Sequence, residues 1–600
     1  MRRKYKTDTP ENTIKRITQI LKNMDITVRQ EELKSVDGIL FSCSYSLEGI
    51  KALAQNGKGT SMVYAVAGAL AELMERMQNL IIFDSKIGLS VADILRIIPD
   101  MIEIDNLDML YSINDNKCES DIRQVCEELI IDSSGPIYVD EFYDVKNDTV
   151  VFLPHPNMLL TTGSNGMCAG NTPAEAIVQG ICEILEREAL KQIYAGNVIP
   201  PTIPDEFIKN SHSYEIIKAL ADKDISIIVK DCSLGRDFPV VGAIAVNKAT
   251  GRYKFSLGSH PVFDYALERA LTELYQGFSG DEISELGKEL RLGKDPFAEP
   301  CTEVDRDIKR TVNYIAQFGR GKGELPECIF YGEPTYEFKP WSAFEDSSSY
   351  EDDLKIFKEL IISSGSNIFV KDLSFLNFPT YYVYITKYSP VKYNLPWKTT
   401  DTFKKIKLCR TTELRKIYDN LAISTVPEIS ELITFIESFL ACPEIPDEEK
   451  PYGWIESIYN SKIPKEYLIP PEYLLALLYH KVGNYEESYK KMDAFFIRYG
   501  IKREAQEQEH LFAFREALFL LSKKYKPDEI ENLLLKYYHK SCVSMAMTML
   551  TVKDLMLMKI KSPKTSDYKH FNVCKTIFEK MRQKVKDSSI NQYAIRDYFW

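Results

Sequence analysis

Two rhythms of apolar residues share the N-terminal part of the chain. Short runs rich in β-branched and aromatic residues occur at Gly38-Ile39-Leu40-Phe41-Ser42-Cys43, Gly135-Pro136-Ile137-Tyr138-Val139, Asp148-Thr149-Val150-Val151-Phe152-Leu153, Ile225 to Lys230 and Val240 to Val246. They predict strands. The turn Asn247-Lys248-Ala249-Thr250-Gly251 predicts a hairpin from the last of these to Lys254-Phe255-Ser256. Between them apolar residues recur every three or four positions. Thr9-Pro10-Glu11 opens the first such stretch, with proline in the first turn. Others end near Met77, follow Pro173, and run from about Phe263 to Gln276. Strands flanked by helices, with hairpins among them, indicate an α+β fold rather than a doubly wound sheet.

The pattern changes between about 385 and 455, where Pro390, Pro396, Pro443, Pro446 and Pro451 and the charged run Asp447-Glu448-Glu449-Lys450 interrupt it. The expected organisation is a domain over 1–400, a linker over 401–455 and an all-α domain over 456–600. Tyr473 to Tyr479 followed by Val482 to Tyr489 reads as one tetratricopeptide-like hairpin or as an ordinary helix pair. Residues 551–600 carry 11 Lys/Arg against 5 Asp/Glu, a basic face that solvent or an acidic partner can satisfy.

Composition narrows the function classes. A chain of 600 residues with 44% hydrophobic and 27% charged residues is globular, and its length calls for more than one core. A net charge of −12 disfavours a nucleic-acid coat and an anionic-membrane binder. No apolar stretch of about 18 residues predicts a membrane span. Met1 to Asp8 has no apolar core behind its positive end, so it is not a secretory signal. Twelve cysteines without a Cys-x-x-Cys pair read as reduced thiols of a cytoplasmic protein rather than as zinc ligands.

The chemistry lies in an internal repeat. Gly59-Thr60-Ser61 leads into a helix ending Glu72-Leu73-Met74-Glu75-Arg76, and Gly170-Asn171-Thr172 into one ending Glu183-Ile184-Leu185-Glu186-Arg187. Ala266 to Gln276 is a weaker third echo. In the second copy Glu175, Gln179, Glu183 and Glu186 share one face, while apolar residues cover the rest. Such a helix is mostly buried, and its carboxylates need cations to offset the loss of water. Arginines alone give a structural salt-bridge network. Mg²⁺ with Arg76, Arg187 and Arg269 instead gives a site for a nucleoside triphosphate. No Gly-x-x-x-x-Gly-Lys-Ser/Thr loop occurs, so this is not a P-loop protein, and Gly57-Lys58-Gly59 is only a fragment of one. No Ser-His-Asp or Cys-His pattern suggests a covalent enzyme intermediate. His260, in the turn Gly258-Ser259-His260-Pro261, reads as a turn-stabilising residue, with a site role as the alternative.

At Asn56-Gly57-Lys58-Gly59 to Arg76, Ser164 to Arg187, and Ser256 to Arg269, the chain resembles the YcaO family, in its long bacterial form with a helical C-terminal region. The likeness is read over essentially the whole chain. It implies an ATP and Mg²⁺ site between sheet and helices. Glu72, Glu75, Glu183 and Glu186 would be metal and phosphate ligands. Glu175, Arg187 and Arg269 would be nucleotide contacts, joined by Lys6 and Thr13 near the start. Gly68 stands where many members have serine, which implies a lost hydroxyl contact and weaker ATP binding. The implied activity is ATP-dependent activation of a peptide amide, ending in an azoline, thioamide or amidine. The chain ends Tyr598-Phe599-Trp600, without the proline-rich tail common in azoline formers, and no leader-binding domain is recognised. The resemblance therefore favours an accessory role in ribosomal-protein methylthiolation. Tailoring of a small peptide, including thioamidation, is the alternative, and an ATP-regulated scaffold is the non-enzymatic one. A peptide or protein substrate, a sulfur-donor or partner protein and a homodimer are implied.

Overall fold

The computed structural model describes residues 6–83, 94–114, 118–129, 131, 136–276, 287–292, 297, 303–391, 414, 417–440, 469–501, 508–560 and 570–600. The chain forms two compact units, Met1–Thr400 with Asn572–Trp600, and Asp401–Phe571. In the first unit the strands are β1 (Val28–Val36), β2 (Leu40–Leu47), β3 (Ala54–Gly59), β4 (Ile102–Ile104), β5 (Ile137–Asp144), β6 (Thr149–Leu153), β7 (Met167–Ala169), β8 (Ile225–Asp231), β9 (Val240–Asn247), β10 (Arg252–Ser259), β11 (Lys288–Glu289), β12 (Ile368–Asp372) and β13 (Thr380–Ile385). They make three sheets, ordered β1-β2-β3, β11-β10-β9-β8 and β4-β5-β12-β13-β7, with β6 on β5. The fold is α+β. The β9–β10 hairpin pairs Asn247 with Arg252 across the expected turn.

Four helices position the site: α1 (Pro10–Asn23), α2 (Met62–Gln78), α3 (Pro173–Ala195) and α4 (Phe263–Leu274). Helix α3 starts cleanly because Thr172 accepts the Glu175 N–H and Pro173 sits in the first turn, and it stops at Gly196 in the left-handed region. Its apolar side chains, Ile177, Ile181, Ile184 and Leu185 among them, are buried with Tyr143, Val240, Phe255 and Val383 from the sheets. Each such side chain contributes about 1.5–3 kcal/mol on burial, which fixes the helix between two sheets.

The structure aligns three strand–turn–helix units: β3 with α2, β7 with α3, and β10 with α4. Residues at equal distance from the helix starts Met62, Pro173 and Phe263 correspond. In the first, Gly57 lies so close to Ala65 and Ala69 that a Cβ would overlap their backbone. In the third, Gly258 meets Ala266 and Ala270 in the same way. The middle unit reverses the roles, with Cys168 on the strand and Gly180 on the helix, where a Cβ would lie 2.8 Å from the Cys168 sulfur. Small residues at these points let each helix settle onto its strand and set the direction of its polar face.

In the second unit, helices Val426–Leu440, Pro471–Lys481, Tyr485–Arg498, Glu509–Ser522, Pro527–Leu534 and Lys540–Thr551 are all that the described residues form beyond short turns. The hairpin read from the sequence is present, tied by Ser488 Oγ donating to Ala476 O at 2.6 Å. Helix Val426–Leu440 lies inside the stretch expected to be linker. Much of the remainder of 401–455 lies outside the described residues.

The last segment departs from the expected layout. Residues 572–600, assigned from the sequence to the helical domain, pack on the first unit. The helix Phe571–Asp587 buries Cys574, Ile577, Phe578, Met581 and Val585, with the Phe578 ring 5.3 Å from Phe83. Gln592 bonds both the N–H and the C=O of Asp372, and Trp600 Nε1 donates to Tyr143 OH at 3.0 Å. Among the described residues no helix is long and apolar enough to cross a membrane.

Gly57→Ala or Gly258→Ala forces a helix off its strand and destabilises the protein by about 1–3 kcal/mol. At Gly68 the nearest atom to an added Cβ is 3.7 Å away, so Gly68→Ala is expected to stabilise the helix by about 0.5–1 kcal/mol. Thermal unfolding of the three variants checks this; equal losses in all three contradict it.

Candidate functional site

The polar faces of α2, α3 and α4 open onto one cavity of about 590 Å³, a size suited to a nucleotide-sized ligand. Glu72, Glu75, Glu183 and Glu186 all line it, as do Lys6, Thr13, Glu175, Arg187 and Arg269. All the residues that the resemblance assigned to metal, phosphate or nucleotide thus line the same space. The carboxylates face arginines from neighbouring turns. Arg76 lies 3.3 Å from Glu72 and 3.2 Å from Glu75, Arg187 lies 3.9 Å from Glu183, and Arg269 lies 3.6 Å from Glu186. Glu186 also accepts the Ser259 N–H at 2.8 Å, and Arg269 donates to Gln179 at 2.7 Å, so α3 and the β10–α4 unit are joined inside the cavity. The Arg187 guanidinium stacks over Phe318 at 4.6 Å.

These ion pairs do not repay the burial. Loss of water pushes the Glu75 carboxyl well above its ordinary 4.5; Arg76 opposes this, while Glu183 and Glu72 add to it. Burial likewise raises Glu72 and Glu186 against the pull of Arg76 and of Arg269 respectively. Lys58 is pushed down to about 7 by burial and by the neighbouring Arg269, against Glu186 and Glu72. The acids remain short of positive charge.

Glu175 behaves differently. It is buried at the start of α3 and binds Thr7 through N–H (2.9 Å) and hydroxyl (2.5 Å), with Lys6 at 3.4 Å. Burial alone would raise it, but Lys6 and Thr7 hold it below the usual range. Thr13 Oγ1 donates to Asn171 Oδ1 at 2.8 Å on the same edge. Lys6 meets Glu175 directly and Thr13 reaches it through Asn171, and the segment before α1 closes one side of the cavity.

The donor set suits Mg²⁺. That ion takes oxygen ligands and typically uses one or two carboxylates, completing its shell with phosphate and water. Among the described residues no three acidic, thiol or imidazole side chains form a ready-made metal cluster. The carboxylates of Glu72, Glu75, Glu183 and Glu186, spread along two helices, suit ions shared with a triphosphate. His260, by contrast, is not in the cavity wall; its Nδ1 accepts the Val262 N–H at 2.9 Å and steadies the turn before α4, where Val262 offers no side-chain cap.

Sequence reasoning missed Lys58 and Glu273. Lys58 pairs with Glu273 across the cavity, and Glu273 stands on α4 where α2 has Glu72 and α3 has Glu183. The signal was present: aligning the third echo on Gly258 rather than on Arg269 places Glu273 in that series, with Gln276 matching Glu75.

The chain belongs to the YcaO family: the family described as YcaO cyclodehydratase, ATP- and Mg²⁺-binding, matches residues 56–389. ATP and Mg²⁺ are the ligands of that family. The chain is 26% identical over 343 residues to the Escherichia coli (strain K12) ribosomal protein S12 methylthiotransferase accessory factor YcaO, covering 54% of this chain and 55% of that one. It is 27% identical over 342 residues to an uncharacterised protein of Haemophilus influenzae, with the same coverage. The chain thus spans about half the length of the relatives it matches. The structure of YcaO from Methanopyrus kandleri bound with AMPPCP and Mg²⁺ aligns with a TM-score of 0.41 at 16% identity, over 66% of this chain and 96% of that one. A heterocyclase in complex with substrate and cofactor aligns at 0.44 and 16%, over 65% and 55%. The likeness read over the whole chain is narrower than expected, since the family match stops at 389.

A carboxyl raised by folding stabilises the protein below its unfolded value, and that contribution fades as pH rises toward the folded value. The ligand-free protein is expected to lose thermal stability as pH climbs from 4.5 toward neutrality, and Glu75→Gln to flatten that slope. An unchanged slope in Glu75→Gln contradicts the charge imbalance described above.

Proposed function

We propose that this chain is an ATP- and Mg²⁺-dependent enzyme that activates a backbone amide of a peptide or protein. One observation carries the reading: two matched Glu-x-x-Glu-Arg helices turn their carboxylates into a single cavity. Glu72, Glu75, Glu183 and Glu186 would hold Mg²⁺, which supplies charge neutralisation to the phosphates when bound. Arg187 and Arg269 are cations fixed around the same space, with Lys58 beside them, and Lys6, Thr13 and Glu175 shape its N-terminal side. Phosphoryl transfer depends on positioning and charge stabilisation more than on covalent help from the protein, and such a wall provides both. Transfer of the γ-phosphoryl to the amide oxygen turns a poor leaving group into phosphate, so that a nucleophile can replace it. A scaffold reading leaves the concentration of buried acid without a purpose. The name of the Escherichia coli relative supports a role beside ribosomal-protein methylthiolation, and the family's description as a cyclodehydratase supports peptide tailoring as the alternative.

ATP hydrolysis by the full chain is expected to fall by about 10²-fold or more in Glu72→Gln and Glu186→Gln, with the fold retained by circular dichroism. A search of cellular peptides for chain-dependent shifts of about −18 or about +16 Da distinguishes dehydration from oxygen-to-sulfur exchange. Wild-type turnover in both variants, with no such shift, refutes the reading.

A further inference from the structure

One titratable cluster at the cavity is not among the residues assigned above to the triphosphate. Asp264 and Glu268 stand one turn apart on α4, and His212, in the turn before helix Tyr214–Ala221, lies between them. His212 Nε2 is 2.8 Å from Glu268 Oε2, and Nδ1 is 3.2 Å from Asp264 Oδ2. The Tyr265 ring packs edge-on against the imidazole at 5.7 Å. Glu268 lines the cavity, and the partner of its Oε2 is His212. His212 is 31% exposed, so the far end of the cluster reaches solvent.

Carboxylate, imidazole and carboxylate in line make a path for a proton. A neutral imidazole accepts at one nitrogen and donates at the other, and the cation donates at both, so a proton arriving on Glu268 can pass to His212 while Asp264 holds the ring in place. A mere clamp between two acids on one helix gives no reason for Glu268 to form part of the cavity wall. Arg269, the next residue, reaches Glu186 and Gln179 on α3.

We propose that Glu268 is a catalytic base of this cavity, taking the proton from the attacking protic nucleophile, with His212 and Asp264 as positioning residues that carry the proton to solvent. The proposal rests on the triphosphate reading of the cavity. In its simplest instance the nucleophile is water. Its oxygen bonds the γ-phosphorus of ATP, the bond from that phosphorus to the β,γ-bridging oxygen breaks, ADP leaves with the electron pair, and the proton of water passes to Glu268. In the peptide reaction the same carboxylate takes the proton of a thiol or hydroxyl as its heteroatom bonds the amide carbon and the carbonyl π pair moves to oxygen.

The test uses the full chain, with AMPPCP–Mg²⁺ binding by calorimetry and ATP turnover measured side by side. Glu268→Gln is expected to bind AMPPCP–Mg²⁺ within about twofold of wild type and to lose about 10²-fold or more in kcat at unchanged KM. Glu268→Asp should regain part of the rate, and His212→Ala should lose about tenfold and recover with added imidazole. Turnover within twofold of wild type in Glu268→Gln, or a loss that follows nucleotide affinity, overturns the base. Wild-type protein that binds AMPPCP–Mg²⁺ yet hydrolyses no ATP overturns the relay and leaves the triphosphate site standing. Failure of wild type to bind AMPPCP–Mg²⁺ overturns the site and the relay with it.

Discussion

Carboxylates withdrawn from bulk water must find positive charge, and most of the first unit's architecture around the cavity answers to that need. Glu72, Glu75 and Glu186 are pushed up by burial even with arginines within 4 Å. An isolated buried charge costs several kcal/mol, so this arrangement persists only because the surrounding core holds α2 and α3 rigidly. The rigidity comes from backbone contact. Gly57, Gly180 and Gly258 bring each helix down onto its strand, and Glu72, Glu183 and Glu273, one turn further along the contacting face, are then aimed at a common space. On the proposed reading, the acids are preorganised for a metal cation.

The three units do not contribute alike to the cavity. The equivalent positions Glu72, Glu183 and Glu273 all reach the cavity, but only the first two belong to Glu-x-x-Glu-Arg segments. In the third, Gln276 replaces the second acid, and Glu273 pairs with Lys58 from the first unit's strand. Arg269 occupies the helical position that α3 gives to Gln179 and α2 to Gly68, and it reaches across to both Gln179 and Glu186. Divergence of one unit converts a repeated acidic pattern into a cavity with an acidic and a basic side. Gly68 leaves room in that wall, since an added Cβ would make only ordinary contact, so the missing hydroxyl is a choice of residue and not a steric demand.

Much of this was legible in the sequence because it depends on local pattern. Apolar periodicity gave the strands and helices, and the shared Gly, Ala, Glu, Glu and Arg positions revealed the first two units. What was not legible depends on distant partners. Lys58 looked like a fragment of a motif because its meaning lies in Glu273, more than two hundred residues on. Residues 572–600 look like a continuation of the helical region. Their place on the first unit is set by pairings such as Gln592 with Asp372 and Arg596 with Asp148, which no periodicity encodes. Glu268 and His212 likewise form a pair only once α4 is folded.

The central claim is that Glu72, Glu75, Glu183 and Glu186 share Mg²⁺ ions with a triphosphate. A crystal structure of the full chain with AMPPCP and Mn²⁺ in place of Mg²⁺ tests it most directly. Anomalous peaks between the phosphates and carboxylates from both α2 and α3, at roughly 2.0–2.2 Å from oxygen, are the expected result. A nucleotide bound elsewhere, or bound in the cavity with no metal peak near these four residues, contradicts the account.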